Sequence, residues 1–138
     1  MKRKGTYVLE MTLDTDADLD IGALGTLHFP RGTYCYVGSA MGGLDQRLSR
    51  HVSMDKKIRW HIDRLTMVAS SVYAHESYPD PIPECHLAHL AETAGMEPVF
   101  PGFGCSDCRC TTHLFRVTGD VLERFLEDSG LTTTYSRR

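Results

Sequence analysis

The chain has 138 residues, of which 41% are apolar and 24% are charged, and its formal net charge is −3. This length and composition predict one soluble globular domain whose core can form without disulfide staples. No run of about 18 apolar residues occurs, and the N-terminus lacks the apolar segment of a secretory signal, so we expect neither a membrane helix nor export. Five cysteines, an odd number, indicate reduced thiols in the cytoplasm rather than an extracellular disulfide framework.

The charges are unevenly distributed along the chain. The acidic net charge argues against a general nucleic-acid coat protein. The segment 47–64 is nevertheless rich in basic residues: Arg47, Arg50, Lys56, Lys57, Arg59 and Arg64. A basic surface of this kind suits phosphate contacts, but a solvated helix surface explains the same pattern and is preferred on charge alone.

Hydrophobic periodicity predicts strands and helices in mixed order. The predicted strands cover residues 5–13, 25–29, 33–37, 67–75 and 111–117. The predicted amphipathic helices cover residues 42–54, 56–67, 84–95 and 119–130. Pro83 suits the first turn of the third helix, and Gly95 suits its end.

This order predicts the α+β class, with helices packed on a small, mainly antiparallel sheet. The early strands follow one another closely in sequence, so we expect them to pair antiparallel. We predict one domain over residues 1–138, with a polar insertion at about 14–31. The polar tail at about 130–138 is expected to fray.

Polar residues occupy apolar helix faces at several positions. Arg47 and His51 share the stripe of Leu44 on the first helix, His61 lies on the stripe of the second, and Glu84 opens the third. Each has a structural explanation, since a core histidine can be hydrogen-bonded, an arginine can extend to solvent, and a helix N-terminus favours a carboxylate. Buried charges are costly unless they are paired or used, so together they indicate one shared polar cavity.

Two short motifs and the helix after them resemble the GIY-YIG nuclease superfamily. They are "GTY" at residues 5–7 and "YVGSA" at 36–40, the latter followed by "LDQRLSRH" at 44–51. The segments "RWHID", "PEC" and "GFGCSDCRCTTHLF" are similar to the little-characterised Uri-like endonuclease branch, so the resemblance covers about residues 5–118. It implies a GIY-YIG-like core of three or more strands. Because "GTY" recurs at residues 32–34, either Tyr7 or Tyr34 can be the partner of Tyr36, and Tyr7 is preferred.

The resemblance implies a metal-dependent endonuclease that hydrolyses phosphodiester bonds in DNA or structured nucleic acid. Glu84 would hold one Mg²⁺ or Mn²⁺ ion, and Arg47 would pair with the scissile phosphate. Tyr7 or Tyr36 would orient or deprotonate water, and the phenol would need a nearby cation or a histidine for its own proton, a role open to Arg47, His51 and the metal. His61 and Asp63 are secondary candidates.

The expected partner is nucleic acid, most simply DNA, contacted by Arg50, Lys56, Lys57 and Arg59. A role beside a DNA repair enzyme is compatible with the resemblance. Two alternatives stay open: a catalytically silent nucleic-acid-binding module of the same fold, and a zinc-structured interaction domain.

A cluster of thiols and one imidazole lies near the C-terminal third of the chain, at Cys105, Cys108, Cys110 and His113. Such residues can bind zinc. If Cys108 begins a strand, however, alternation places Cys108 and Cys110 opposite His113, and one ion cannot gather them. Buried, strand-lining thiols are therefore the preferred explanation, with zinc or a Cys105–Cys108 redox pair as the alternatives.

Overall fold

The computed structural model describes residues 2–105 and 110–138. Its strands and helices follow the predicted order closely. The strands are β1 (Gly5–Leu13), β2 (Ala17–Asp20), β3 (Thr26–Phe29), β4 (Gly32–Ala40), β5 (Ser71–Ser77), β6 (Glu97–Pro98), β7 (Leu114–Val117) and β8 (Thr132–Arg137). The helices are α1 (Leu44–Val52), α2 (His61–Val68), α3 (Glu84–Thr93) and α4 (Gly119–Asp128), with a 3₁₀ turn at Gly22–Leu24.

Six strands form one antiparallel sheet in the order β6-β7-β4-β1-β5-β8. Strand β1 lies inside this sheet and is buried over nearly its whole length, which explains its run of β-branched, aromatic and aliphatic residues. With helices packed on the sheet, the predicted α+β class is confirmed. Strand β1 pairs with β4, and this register sets Tyr7 directly opposite Gly38.

The two faces of the sheet bury different helices. One cluster contains Tyr7, Tyr34 and Tyr36 with the apolar stripes of α1 and α2. The other contains Cys35 and Val37 with the inner faces of α3 and α4. The period-two alternation predicted for strand β4 is therefore confirmed, because side chains at odd and even positions point to opposite faces.

The predicted insertion at 14–31 contains a small sheet of its own. Strands β2 and β3 pair antiparallel as a two-stranded sheet separate from the main one. Ile21 and Phe29 from this segment are fully buried in the cluster that contains Tyr7. The hairpin therefore covers part of the α1–α2 side of the molecule.

The second helix is shorter than predicted, since it begins at His61 rather than near residue 56. The Asp63 carboxylate accepts the backbone N–H groups of Arg59 and Trp60 at 2.8 and 2.9 Å, which caps the helix N-terminus there. Ile58 lies before this helix and is 39% exposed. The strand that follows, predicted over residues 67–75, runs from Ser71 to Ser77.

The expectation that residues 130–138 fray was wrong. Residues 132–137 form β8, which pairs with β5 at the edge of the main sheet. The Arg137 guanidinium donates hydrogen bonds to the backbone carbonyls of Val52, Thr66 and Ala69. An open strand edge has unpaired N–H and C=O groups, so even a polar segment gains ladder bonds by adding to it.

Among the described residues, 2–105 and 110–138, no helix is long and apolar enough to cross a membrane.

Candidate active site and adjacent metal-binding cluster

A pocket of about 670 Å³ opens where α1, α2 and the start of α3 meet strands β1 and β4. Several segments that are distant in sequence contribute to its wall, including the loop at Gly102–Cys105. Six of the predicted site residues line it: Tyr7, Tyr36, Arg47, His51, His61 and Glu84. Asp63, the other secondary candidate, is not among the described residues that line the pocket.

Tyr7 and His51 form a hydrogen-bonded pair in the wall of this pocket. The Tyr7 hydroxyl lies 2.8 Å from Nε2 of His51, and both side chains are buried. Gly38, opposite Tyr7 on β4, makes room for the phenol. A Cβ atom at Gly38 would lie 2.5 Å from the Tyr7 hydroxyl oxygen, far inside contact distance. The glycine of the "YVG" motif is therefore required by the tyrosine of the "GTY" motif.

His51 is a neutral hydrogen-bonding group. Burial is the largest cause that lowers its pKa from the ordinary 6.5 to about 3, and the charges of Lys56 and Arg47 lower it further. Its Nδ1 atom is buried without a hydrogen-bond partner among the described residues. When Nδ1 carries the ring proton, Nε2 accepts the hydroxyl proton of Tyr7.

Both site tyrosines are protonated at neutral pH. Burial raises the pKa of Tyr7 from 10.0 to about 12, against the opposing charge of Arg47. Burial also raises the pKa of Tyr36 well above its ordinary value. Tyr36 packs edge-on against Phe103, with ring centroids 6.1 Å apart. Each phenol therefore needs a proton acceptor or a neighbouring cation before it can act as a base.

Tyr34 is separated from the pocket although it shares a strand face with Tyr36. Its hydroxyl donates to the backbone carbonyl of Pro30, and its ring packs edge-on against Phe29. Tyr34 does not appear among the described residues that line the pocket. The pocket therefore pairs Tyr36 with Tyr7, the preferred of the two alternatives.

Arg47 reaches the pocket from the first turn of α1. Its Nη1 donates to the backbone carbonyl of Ser39 at 3.0 Å, and its guanidinium lies 4.5 Å from the ring centroid of Trp60. The aromatic face and the carbonyl hold the planar group in place, and the guanidinium also hydrogen-bonds the Tyr7 side chain. Such a fork suits a phosphate or carboxylate ligand.

Glu84 closes the other side of the pocket at the N-terminus of α3. Its Oε2 lies 2.8 Å from Nδ1 of His113, a fully buried imidazole. Burial acts to raise the pKa of Glu84, but the hydrogen bonds from His113 and Ser39 outweigh it and the net pKa lies below its ordinary value. The half-buried carboxylate is therefore ionised at neutral pH and faces the same space as Arg47.

The basic residues predicted to contact nucleic acid divide into two groups. Arg50 forms a bidentate ion pair with Asp63 at 2.8 and 2.9 Å, and Lys56 donates to the His51 carbonyl and a threonine hydroxyl. Arg50 and Lys56 therefore form the first set, whose charged groups are hydrogen-bonded within the protein. Lys57 and Arg59 are exposed, and Arg59 lines the pocket. Of these four residues, Arg59 alone is both exposed and among the described residues that line the pocket.

A cluster of possible metal ligands lies behind Glu84. The ligand atoms of Cys85, Cys110 and His113 all lie within 4.8 Å of one another, so this group could hold a metal ion. The strand expected from residue 111 begins at Leu114 instead. Cys110 and His113 therefore lie before the strand, and strand alternation does not place them on opposite faces. The preference for buried, strand-lining thiols is thus corrected for Cys110, which is half-exposed outside any strand. Cys105 lies in the pocket wall instead, and Cys108 lies outside the described residues.

Sequence reasoning missed three residues that shape the site. Cys85 follows Glu84 directly and belongs to both the pocket wall and the possible metal cluster. Trp60 and Phe103 supply the aromatic walls. Their only signal in the sequence was local composition, since the single tryptophan lies within the basic segment 47–64 and Phe103 lies between two glycines.

This arrangement brings together chemically complementary groups. An ionised carboxylate and a guanidinium line one pocket, beside a phenol bonded to a neutral imidazole. Such a site can bind a cation and an anion at once and can move a proton from a phenol to a ring nitrogen.

Comparison with known proteins gives one family assignment. The family model described as domain of unknown function DUF123 matches residues 6–131. Searches of curated proteins and of solved structures found no match. The matched region begins at the second residue of β1 and extends past the end of α4, so it includes every described residue that lines the pocket. The chain belongs to the DUF123 family.

Proposed function

We propose that this protein is a metal-dependent endonuclease related to the GIY-YIG nucleases, and to their Uri-like branch, and that it cleaves phosphodiester bonds in DNA. The observation that supports this is the convergence of Tyr7, Tyr36, Arg47, His51 and Glu84 on one pocket. These residues come from four different elements, and nothing in core packing alone requires five polar groups to meet.

Glu84 fits the requirement for a single Mg²⁺ or Mn²⁺ ion. Its carboxylate is ionised, is 29% exposed toward a roomy pocket, and keeps one oxygen beyond the one that contacts His113. A hard cation of this kind is commonly held by one protein carboxylate, with waters and substrate phosphate as further ligands. When bound, it supplies charge neutralisation at the phosphoryl oxygens and at the leaving group.

Arg47 binds the scissile phosphate in this proposal. Its guanidinium is positioned before substrate arrives, because Trp60 and the Ser39 carbonyl already hold it. Preorganised charge stabilises the pentacoordinate transition state without a reorganisation cost. Arg59 and Lys57, which are exposed, contact the flanking backbone phosphates.

Tyr7 and His51 deprotonate the attacking water in this proposal. The hydroxyl of Tyr7 orients the attacking water, and Nε2 of His51 receives the phenolic proton as the water is deprotonated. The low pKa of His51 keeps the ring neutral over the physiological range, so one ring nitrogen keeps a lone pair that can accept a hydrogen bond. Tyr36 lines the same pocket from the neighbouring strand β4 and positions the nucleophile or the phosphate.

The test is cleavage of labelled branched, nicked and single-stranded DNA with Mg²⁺ or Mn²⁺ by the purified protein. Glu84→Gln and Arg47→Ala should each lower the rate by about a hundredfold or more, since each removes charge stabilisation of the transition state. Glu92→Gln on α3 and Arg64→Ala on α2 are matched controls, because both side chains are exposed and outside the pocket. No cleavage under any condition, or equal cleavage by the Glu84 and Arg47 variants, contradicts the proposal.

Branched and nicked substrates also address the expectation that the protein acts in DNA repair. A preference for them over intact duplex of the same sequence supports it. A matched RNA substrate distinguishes DNA from structured nucleic acid in general.

A catalytically silent nucleic-acid-binding module of the same fold is the second candidate. The observation that favours it is the pKa of about 12 at Tyr7, raised by burial, which leaves the phenol a reluctant proton donor. Fluorescence anisotropy with labelled DNA separates the two functions. Binding that Arg47→Ala weakens, with no cleavage by wild-type protein in either metal, favours the module.

A further inference from the structure

We infer that Cys85, Cys110 and His113 bind one zinc ion, and that Glu84 positions the His113 imidazole for it. Two thiols and one imidazole are the ligands that zinc selects over magnesium or manganese. The inference is independent of nuclease activity, because its evidence is the ligand geometry and its readouts are metal content, coordination and stability.

The ligand atoms are already close to the spacing of a zinc site. Sγ of Cys85 lies 4.0 Å from Nε2 of His113, and all three ligand atoms fall within 4.8 Å of one another. Zn–S and Zn–N bonds of about 2.3 and 2.0 Å separate the atoms of a tetrahedral site by about 3.5 to 3.8 Å. Small side-chain movements therefore close the site without rebuilding the backbone.

His113 is held in the orientation that a zinc ligand requires. Its Nδ1 lies 2.8 Å from Oε2 of Glu84, so Nε2 points toward Cys85. A histidine ligand commonly donates its second N–H to a carboxylate, which fixes the tautomer and strengthens the ligand. The backbone is also fixed, since the His113 N–H donates to Phe103 and its carbonyl accepts from Val37.

The surroundings leave access for the ion and for a fourth ligand. Cys85 is exposed, and both cysteines border a cavity of about 210 Å³ that His89 and Glu92 also line. A water molecule in that cavity completes four-coordination. Bound zinc would join the first turn of α3 to the segment that enters β7 and thereby fix Glu84 at the pocket wall.

Metal content is the first test. Protein purified without chelator should contain one zinc per chain by plasma mass spectrometry, and Cys85→Ser or Cys110→Ser should lower this by about tenfold or more. Cys105→Ser and His86→Gln are the matched controls and should retain the zinc. A wild-type protein that neither contains nor takes up zinc, or a Cys85–Cys110 disulfide by peptide mapping, overturns the inference.

Coordination spectroscopy tests the ligand set. Cobalt substitution should produce thiolate-to-metal charge-transfer absorption, and X-ray absorption at the zinc edge should fit two sulfur atoms and one imidazole. A fit that requires three sulfur atoms, or none, overturns this set of ligands.

Zinc affinity tests the role of Glu84. Loss of a carboxylate behind a histidine ligand weakens metal binding by about ten- to a hundredfold, so Glu84→Ala should do so in competition with a chromophoric chelator. Glu92→Gln is the control, because Glu92 borders the same cavity and belongs to no part of the three-residue cluster. Equal affinities of the Glu84→Ala variant and wild type overturn the positioning role even if the zinc site itself stands.

Removing the ion should also lower the melting temperature. A ligand that binds only the native state stabilises it by mass action, so a chelator should lower the wild-type melting temperature by roughly 10 °C. The Cys110→Ser variant should begin at the lower temperature and show no further change. A chelator effect of equal size in that variant contradicts the assignment of Cys110.

Discussion

Replacing His51 with glutamine should remove a large part of the acid sensitivity of this protein. His51 is 1% exposed, and its Nε2 contacts the Tyr7 hydroxyl at 2.8 Å. Glutamine has a similar reach and can accept the same hydrogen bond, but it does not titrate. The comparison therefore isolates the cost of protonating this one ring.

The direction of the pH dependence of stability follows from the lowered pKa of His51. Burial holds the pKa of His51 at about 3 in the folded protein, against an ordinary 6.5. Between these two pKa values the unfolded chain binds a proton at His51 and the native state does not. The contribution of His51 to the free energy of unfolding is therefore fully present above pH 6.5 and is lost as the pH falls toward 3. Between pH 7.5 and 5.0 the loss from this group is about 2 kcal/mol, a value set by the unfolded pKa alone.

Urea unfolding at pH 7.5, 6.5 and 5.0, followed by circular dichroism and by the fluorescence of the single tryptophan, measures this difference. The wild-type free energy of unfolding should fall by about 2 kcal/mol more than that of His51→Gln across this range. His86→Gln on the exposed side of α3 is the matched control and should follow the wild type. Parallel pH dependences for wild type and His51→Gln would refute the reasoning.

Three further substitutions test the packing that builds the site. Gly38→Ala should cost about 1 to 3 kcal/mol of stability in thermal unfolding and shift the phenol resonances of Tyr7, because the new Cβ overlaps that ring. A variant as stable as the wild type would show that β1 and β4 can move apart to accommodate the Cβ. Asp63→Asn should cost about 3 to 5 kcal/mol in urea unfolding, since the fully buried carboxylate forms a bidentate ion pair and caps α2; a loss below 1 kcal/mol contradicts its assigned role. Arg137→Ala should cost about 2 kcal/mol in the same assay, because three part-buried carbonyls lose their donor, whereas Arg138→Ala at the neighbouring exposed residue should be neutral. Equal effects of the two substitutions would indicate a frayed tail.

Local sequence patterns determined the elements that carry the pocket. The alternation in "TYCYV" put Tyr34 and Tyr36 on one sheet face and Cys35 on the other, because the side-chain period of a strand is two. The spacing of Leu44, Leu48 and His51 identified the buried stripe of α1, because residues three and four apart share a helix face. Polar residues on those apolar stripes then indicated a cavity, since burying them in hydrocarbon alone would be costly.

Long-range contacts decided the remaining features. Only the tertiary structure excluded Tyr34 from the pocket and drew Arg50 to Asp63, because the partners of a side chain depend on which elements pack together. Strand β8 also depends on a long-range contact, since its polar sequence does not indicate that it pairs with the edge strand β5. The metal-binding cluster shows this most clearly. Cys85 lies 25 residues before Cys110, and no periodicity links a helix start to a loop that ends at a strand. The sequence by itself determined which chemistry the chain possesses and on which faces it lies, whereas the packing of α3 against strand β4 decided which of those groups can act together.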